Sequence, residues 1–472
     1  MVAGQTKPEA APPKKSVVRV IITALIGSAL EWYDFGLYGV TAALVFAPLF
    51  FPNFSPVAGT LAAFTTYAVG FLSRPLGGII FSHYGDKVGR KPVLAATLIV
   101  MGVSTCLMGL LPTYNEIGIW APIALVLLRL IQGLGAGAEY GGAALLLAEQ
   151  NPERRGFYGG FAASGVFVGI VLSLGAFSLI TAPLSQESLL SWGWRVPYLL
   201  SVVVIGVGLY LRFSMPETPE FAREVQESHQ EASIPLMEVL RHYPKHVLLG
   251  MGANLSLVGY SYVVQTFVLA YITTNLGLSR NIGLIGVVIG AAIGAVTMPL
   301  FGALADRVGT RRVIMWGAAA SALFAFPFFW MLETRETGMI WLAIVIGLSF
   351  CVGSMFGPIA AFYSELFDTR IRYTGLVFAR EVSGSIVGGF TPLIATSLVL
   401  WSGGQSWPVS IYMVVTVLIP LICVYLARDL MSSRGNRKAA ATGETSRAAS
   451  GPIHSDMARI SAFEANASKN SL

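Results

Sequence analysis

Charge is what this chain has little of. Only 12% of its 472 residues are Asp, Glu, Lys or Arg, against ~25% in a soluble chain. Apolar residues make up 54%, and the mean hydropathy is +0.67. That much apolar surface needs lipid around it. Cysteine is scarce too. Cys106, Cys351 and Cys423 all lie in apolar runs, and their spacing fits neither a disulfide framework nor a zinc site. They read as small buried apolar residues, and no metal or other cofactor is expected. The chain has no G-x-S-x-G elbow, no H-E-x-x-H and no G-x-x-x-x-G-K-[ST] loop. Those absences argue against a membrane-embedded enzyme and against direct ATP drive. No single-sign ring of charges marks an ion channel. Neither tail offers the large domain that a membrane sensor would need.

What the chain has is long apolar segments. Twelve can cross a ~30 Å hydrocarbon core. Six fall near 20–48, 57–82, 92–112, 119–148, 157–182 and 194–213. After a charged stretch, six more fall near 246–275, 281–305, 312–332, 338–366, 373–401 and 407–428. The expectation is an all-α membrane protein with twelve transmembrane helices in two six-helix bundles. A cytoplasmic tail covers 1–19, the first bundle 20–213, a central loop 214–245, the second bundle 246–428 and a disordered tail 429–472. The central loop has helical spacing around Phe221 and Val225. The polar stretch before the first segment, and that segment's length, suit a first span rather than a cleaved signal.

The net charge of +6 does not call for nucleic acid, because the basic residues sit in alternate loops. One set carries Lys87, Arg90 and Lys91; Arg154 and Arg155; Arg307, Arg311 and Arg312; Arg370 and Arg372; and both tails. The other set is nearly free of them, with Arg280 and Arg335 as exceptions. By the positive-inside rule both termini and the central loop are expected in the cytoplasm.

The chain also repeats itself. GDKVGRKPVL (Gly85–Leu94) aligns with ADRVGTRRVI (Ala305–Ile314), pairing Asp86 with Asp306, Gly89 with Gly309 and Lys91 with Arg311. AEQNPERRGFYGG (Ala148–Gly160) aligns more weakly with SELFDTRIRYTGL (Ser364–Leu376). Two halves of like orientation imply parallel repeats about an axis along the membrane normal, with a substrate site at the midplane between them. The first pair are tight turns, with glycine allowing the bend. Their charges can grip a carboxylate or helix end of the other bundle in one state and release it in another. Topogenic charge alone accounts for the Lys and Arg residues equally well, but not for the repeated Asp and Gly.

These two loops resemble the paired loop signature of the major facilitator superfamily. RLIQG (Arg129–Gly133) is similar to its fourth-span motif. ALEWYDFGLYG (Ala29–Gly39), RPLGG (Arg74–Gly78), GAEYGGA (Gly137–Ala143), GWRVPYLLS (Gly193–Ser201), MPETPEF (Met215–Phe221) and YSELFDTRIRYTG (Tyr363–Gly375) resemble the metabolite:proton symporter family, in family order. YGVTAALVF, GTLAAF and GGFTPLIA look most like the shikimate transporter branch; other members carry proline, glycine betaine, 2-oxoglutarate or citrate. The resemblance implies a proton-coupled importer of a small polar metabolite in a bacterial inner membrane, with substrate, protons and lipid as its partners. An uncoupled facilitator or an exporter is the alternative. A complete pathway in each chain implies a functional monomer. The chain departs from the pattern at Ser82, Ala138 and Thr310, and most of all at Arg380-Glu381, where many members have uncharged residues.

Ionisable residues at membrane depth cost roughly 2.5–3.5 kcal/mol each on insertion scales, so each needs a reason. Glu31, Asp34 and Tyr38 share one face of the first span. Asp34, with Glu31, is the expected proton carrier, and Glu139 is a further candidate. The bland alternative is a structural Asp34 paired with Arg129. Arg129 and Gln132, one turn apart, are expected to face the cavity, where Arg129 can hold a substrate carboxylate through two hydrogen bonds. Asn254, Ser261 and Gln265 share a face of the seventh span beside Tyr260 and Tyr262, which suits a hydroxylated or zwitterionic ligand; interhelical hydrogen bonds are the alternative. Tyr33, Tyr38 and Tyr140, in the quoted stretches, and Tyr262 join the expected substrate contacts. Arg380 and Glu381, as neighbours, point about 100° apart; they are not expected simply to neutralise each other, and at least one is expected to meet a partner across the cavity or near the cytoplasmic gate. Arg74 joins Asp86, Lys87, Gly89, Arg90, Lys91, Asp306, Arg307, Gly309, Arg311 and Arg312 as a gating residue.

Overall fold

In lipid every backbone N–H and C=O must be satisfied within the segment, and the described residues meet this with helices. The computed structural model describes residues 14–88, 90–137, 144, 145, 147, 148, 151, 153–214, 236–368, 371–428 and 430. Among these there is no strand. Helix α1 is Lys14–Leu44, and it starts inside the expected tail. The next spans are α2 (Pro56–Phe81), α3 (Arg90–Leu110), α4 (Trp120–Ala136), α5 (Arg155–Thr181) and α6 (Gln186–Tyr210). They are followed by α7 (Pro244–Asn275), α8 (Arg280–Val308), α9 (Thr310–Glu333), α10 (Thr337–Leu366), α11 (Arg372–Trp401) and α12 (Trp407–Leu426). Among the described residues nine helices are long and apolar enough to cross a membrane by length and composition. Ala95–Leu110 and Trp120–Ala136 are shorter apolar helices. The architecture is the twelve-helix fold of two six-helix bundles.

Local signals explain the helix ends. The Ser55 side chain caps the start of α2 and Pro56 occupies its first turn, a position where a missing N–H costs nothing. The Ser279 side chain does the same for α8. Gly309, with φ at 103°, turns the chain from α8 into α9; other residues resist that conformation. The exterior stays apolar: Leu179 and Leu323 are 81% and 80% exposed, which only lipid makes favourable.

The halves meet most extensively along α5 and α8. Small residues let these backbones touch, and Ser164 Oγ donates to the Ala295 carbonyl at 2.5 Å. Among the described residues, five stretches are π-helical: Leu189–Gly193, Val263–Phe267, Tyr271–Asn275, Ile346–Val352 and Gly384–Gly388. Such wide turns often accompany functional sites, and three of these contribute to the cavity wall through Gln265, Val352 and Gly384.

The chain divides into a compact unit, Met1–Tyr425, and a segment Leu426–Leu472. The expected disordered tail, the central-loop helix at Phe221 and Val225, and Gly89, Glu139 and Tyr140 lie outside the described residues. So do the side chains of Asp86, Lys87, Arg90 and Lys91.

Candidate functional site

A cavity of about 40 Å³ lies between the halves, walled by α1, α2, α5, α7, α10 and α11. A water needs ~10–15 Å³ by this measure, so the space suits a few waters and a metabolite must push side chains aside. Asn254, Ser261, Tyr262 and Gln265 all line it. Tyr260 is buried away from it. On one side the rings of Trp32 and Tyr262 stack across the halves, 6.4 Å apart at 20°. Both rings also border a smaller cavity that includes Tyr67 and Thr266. The aromatic pair therefore partitions the two spaces.

A chain of four charges runs beside the main cavity, and three of them, Arg74, Arg380 and Glu381, line it. Arg74 Nη2 donates to Glu31 Oε1 at 2.7 Å, and Arg74 Nε donates to Glu381 Oε2 at 2.8 Å. Arg380 Nη1 donates to Glu381 Oε1 at 2.6 Å. All four residues are at least nine-tenths buried. Arg74 thus joins α1 and α2 of the first half to α11 of the second, and lies 4.8 Å from the centre of the Phe35 ring. Glu381 meets Arg74 across the halves as expected, but the expectation that Arg380 and Glu381 do not neutralise each other is corrected here. Their Cβ atoms diverge, but the long stems bend back and the heads meet.

Arg129 is also corrected. It is fully buried, but neither it nor Gln132 lines the cavity. Its guanidinium sits 4.5, 4.1 and 5.2 Å from the ring centres of Phe35, Tyr38 and Tyr67. Such faces attract a cation when water is absent. Arg129 Nη1 donates to Gln132 Oε1, and Gln132 Nε2 donates to Thr105 Oγ1 at 2.6 Å. The Thr105 and Ser201 hydroxyls in turn reach the Asp34 carboxylate. Among the described residues no ion pair joins Asp34 to Arg129 directly; Gln132 links Arg129 to Thr105, which lies beside Asp34. Tyr33 Oη donates to the Pro197 carbonyl at 2.8 Å and Tyr38 Oη to Thr66 Oγ1 at 2.6 Å, so both hold the first half together rather than facing the cavity.

At each end α8 grips α5. Asp306 accepts from the Gly156 and Phe157 N–H groups at 2.7 and 2.8 Å. At the other end Arg280 Nη2 donates to the Thr181 and Leu184 carbonyls, both at 3.0 Å, and Nη1 to Gln186. A carboxylate meets the positive end of α5 and a guanidinium the negative end. Of the basic residues beside Asp306, Arg311 donates to the Val424 and Tyr425 carbonyls and Arg312 to the Val308 carbonyl, all in their own half, and Arg307 is exposed. Asp306→Asn and Arg280→Gln are expected to raise access to the cavity from opposite ends, by about fivefold each for a loss near 1 kcal/mol. Labelling of a Ser261→Cys probe by an impermeant reagent, with the native cysteines replaced, measures this.

Sequence reasoning missed Trp32, Phe71, Phe167 and Phe356 in the cavity wall, since an aromatic residue in an apolar span carries no local sign of where it faces.

Residues 24–389 match the family model of the Major Facilitator Superfamily. The chain is 41% identical to a shikimate transporter of Escherichia coli over 87% of its length and 94% of that protein. It is 35% identical to a glycine betaine/proline/ectoine/pipecolic acid transporter of Dickeya dadantii, over 85% of this chain and 81% of that one. A crystal structure of a D-xylose-proton symporter superposes with a TM-score of 0.66 at 20% identity, covering 86% of this chain and 97% of the other.

Proposed function

We propose, on the premise that this chain belongs to the Major Facilitator Superfamily, that it is a proton-coupled symporter importing a small organic acid, such as shikimate, by alternating access. The family makes it a multi-pass membrane transporter, not an enzyme. The finer reading rests on one observation: two buried arginines and the Glu381 carboxylate border a cavity between the halves. Charges this deep are expensive, and cations in a cavity wall suit an anionic cargo. A carboxylate that takes up a proton as the acid enters keeps the buried charge balanced. Asp34 has that role here, because it is buried without an ion pair among the described residues and bonds only to hydroxyls. Glu31, held by Arg74, and Glu139 are the secondary candidates. The Trp32–Tyr262 pair favours one second reading, a betaine- or proline-type osmolyte held against aromatic faces. The chain is further proposed to act as a monomer in a bacterial inner membrane with both termini cytoplasmic.

Uptake of labelled shikimate by cells lacking their own carrier, at acid and alkaline external pH, tests this. Accumulation is expected to collapse with a protonophore. Asp34→Asn is expected to lose accumulation while exchange of labelled for unlabelled acid persists. A mutant that still concentrates the acid removes Asp34 from the coupling role.

A further inference from the structure

Asp34 does not line the cavity, so its protonation has to reach the cavity through something between them. The inference drawn from this rests on the reading above of Asp34 as the proton carrier. We infer that Phe35 is a positioning residue for coupling. Its ring is shared by Arg129, beside Asp34, and by Arg74, in the cavity wall, and through it the charge on Asp34 sets the strength of the Arg74–Glu381 tie across the halves.

Phe35 follows Asp34 on α1 and is 1% exposed. The Arg129 guanidinium lies 4.5 Å from its ring centre and the Arg74 guanidinium 4.8 Å. Phe71, edge-on to Phe35 at 5.1 Å, lies 5.7 Å from Arg74 and 6.0 Å from Arg129. Two buried cations therefore share one pair of rings. A ring face attracts a cation most where water is excluded, but like charges in a medium of low dielectric also repel one another strongly. Phe35 and Phe71 hold both guanidiniums against that repulsion. The two arginines are answered differently. Arg74 pairs with Glu31 and Glu381. Arg129 donates to Gln132, and among the described residues its Nε and Nη2 have no hydrogen-bond partner. Asp34 lies within electrostatic reach of Arg129 without pairing to it. Tyr33 of α1 and Tyr198 of α6 also face Asp34, but as neutral phenols they leave the charge balance to Asp34 and Arg129.

The charge on Asp34 then decides how much of the Arg129 field reaches Arg74. With Asp34 ionised, the Arg129 charge is offset. With Asp34 protonated, Arg129 stands unbalanced on the shared ring and drives Arg74 toward its carboxylates. The same field stabilises the ionised Glu381. Both effects tighten the tie between α2 and α11 while the proton is bound and loosen it when the proton leaves. Glu381 lies in the first half of α11, Arg372–Trp401. That helix follows the end of α10, where Glu365 accepts from Thr310 at the start of α9, so the tie closes the Asp306 side. Proton loss therefore favours opening on that side. By linkage the converse also holds, and opening there favours release of the proton. Leucine at position 35 keeps an apolar side chain but offers no ring face to either guanidinium, so the two arginines lose their common seat.

The test reads cavity access in the full chain with the Ser261→Cys probe, the native cysteines replaced, and an impermeant reagent added on the Asp306 side at alkaline pH. Asp34→Asn stands in for the protonated acid. With Phe35 in place it is expected to slow labelling about five- to tenfold, an ordinary coupling between two sites. In a Phe35→Leu background the same change is expected to alter labelling by less than about twofold. Phe35→Tyr keeps the ring face and is expected to retain most of the effect. Phe71→Leu removes the ring that lies farther from both guanidiniums. It is expected to leave an effect of about threefold, and it supplies the readout where Phe35→Leu fails to fold. Phe46→Leu is the packing control: it removes a buried ring just past the end of α1 that packs on Tyr38, Phe50 and Trp194, and is expected to leave the full effect. A full response to Asp34→Asn in Phe35→Leu or Phe71→Leu, or its equal loss in Phe46→Leu, overturns the inference while Asp34 stands as the proton carrier. No response to Asp34→Asn with Phe35 in place also overturns it, and removes the Asp34 reading as well if that variant still concentrates shikimate.

Discussion

Arg74→Gln is expected to abolish transport and to lower the stability of the purified protein by about 3–5 kcal/mol, the range for breaking a buried ion pair. Arg74 is 2% exposed and holds Glu31 and Glu381 at 2.7 and 2.8 Å. Glutamine removes the shared cation and leaves two carboxylates facing a space with less positive charge. Glu381 keeps Arg380, while Glu31 loses its ion pair with Arg74. Two controls follow from that asymmetry. Adding Glu31→Gln to Arg74→Gln is expected to restore part of the stability, a non-additivity typical of residues in one network. Arg74→Lys keeps the charge but not the fork that reaches two carboxylates at once, and is expected to fall between wild type and Arg74→Gln. Thermal unfolding in detergent measures all three. A double variant no more stable than Arg74→Gln would show that the broken Arg74–Glu31 pair is not the source of the loss.

The second large effect separates folding from cycling with the same chemical change. A Cβ at Gly77 would lie 1.9 Å from the Leu134 carbonyl oxygen, and one at Gly302 would lie 2.0 Å from the Gly156 carbonyl oxygen. Both clashes are with backbone, which cannot swing aside. Gly77 packs α2 on α4 within one bundle, and on the same seam a Cβ at Gly70 would lie 2.2 Å from Arg129 Nε. Gly302 packs α8 on α5 between bundles. Gly77→Leu is expected to destabilise by about 3 kcal/mol or more, since overpacking in a close-packed interior costs 1–3 kcal/mol and the backbone clash adds to it. Its sign is loss of monodisperse protein. Gly302→Leu is expected to yield folded protein whose uptake falls at least about tenfold, because the clash can be relieved by staying open at the Asp306 end, a shift of populations rather than an unfolding. Impermeant labelling of the cavity from that end is expected to rise. Equal loss of folded protein in both variants would mean that the α5–α8 seam is part of the fold's stability and not a moving joint.

Much of this was legible in the sequence, because membrane architecture is written in local signals. Hydropathy alone marks the spans, since a ~30 Å core sets the length of each apolar run. The repeat at Asp86 and Asp306 exposes the two halves, and the resemblance of Gly85–Lys91 and Arg129–Gly133 to known motifs names the fold. The ionisable residues Glu31, Asp34, Arg74, Arg129, Arg380 and Glu381 stand out because charge in an apolar run is costly wherever it points. Their partners were not legible. Arg74 meets a residue 43 positions away and another 307 positions away, and no local pattern encodes such a meeting. Helical geometry put Arg380 and Glu381 on different faces, and flexible side chains overrode it. Arg129 turned from the expected cavity into a cage of Phe35, Tyr38 and Tyr67, because packing decides which faces of a buried helix see which neighbours. Trp32 of the first half and Asn254 of the second meet in one cavity wall only through the packing of the halves.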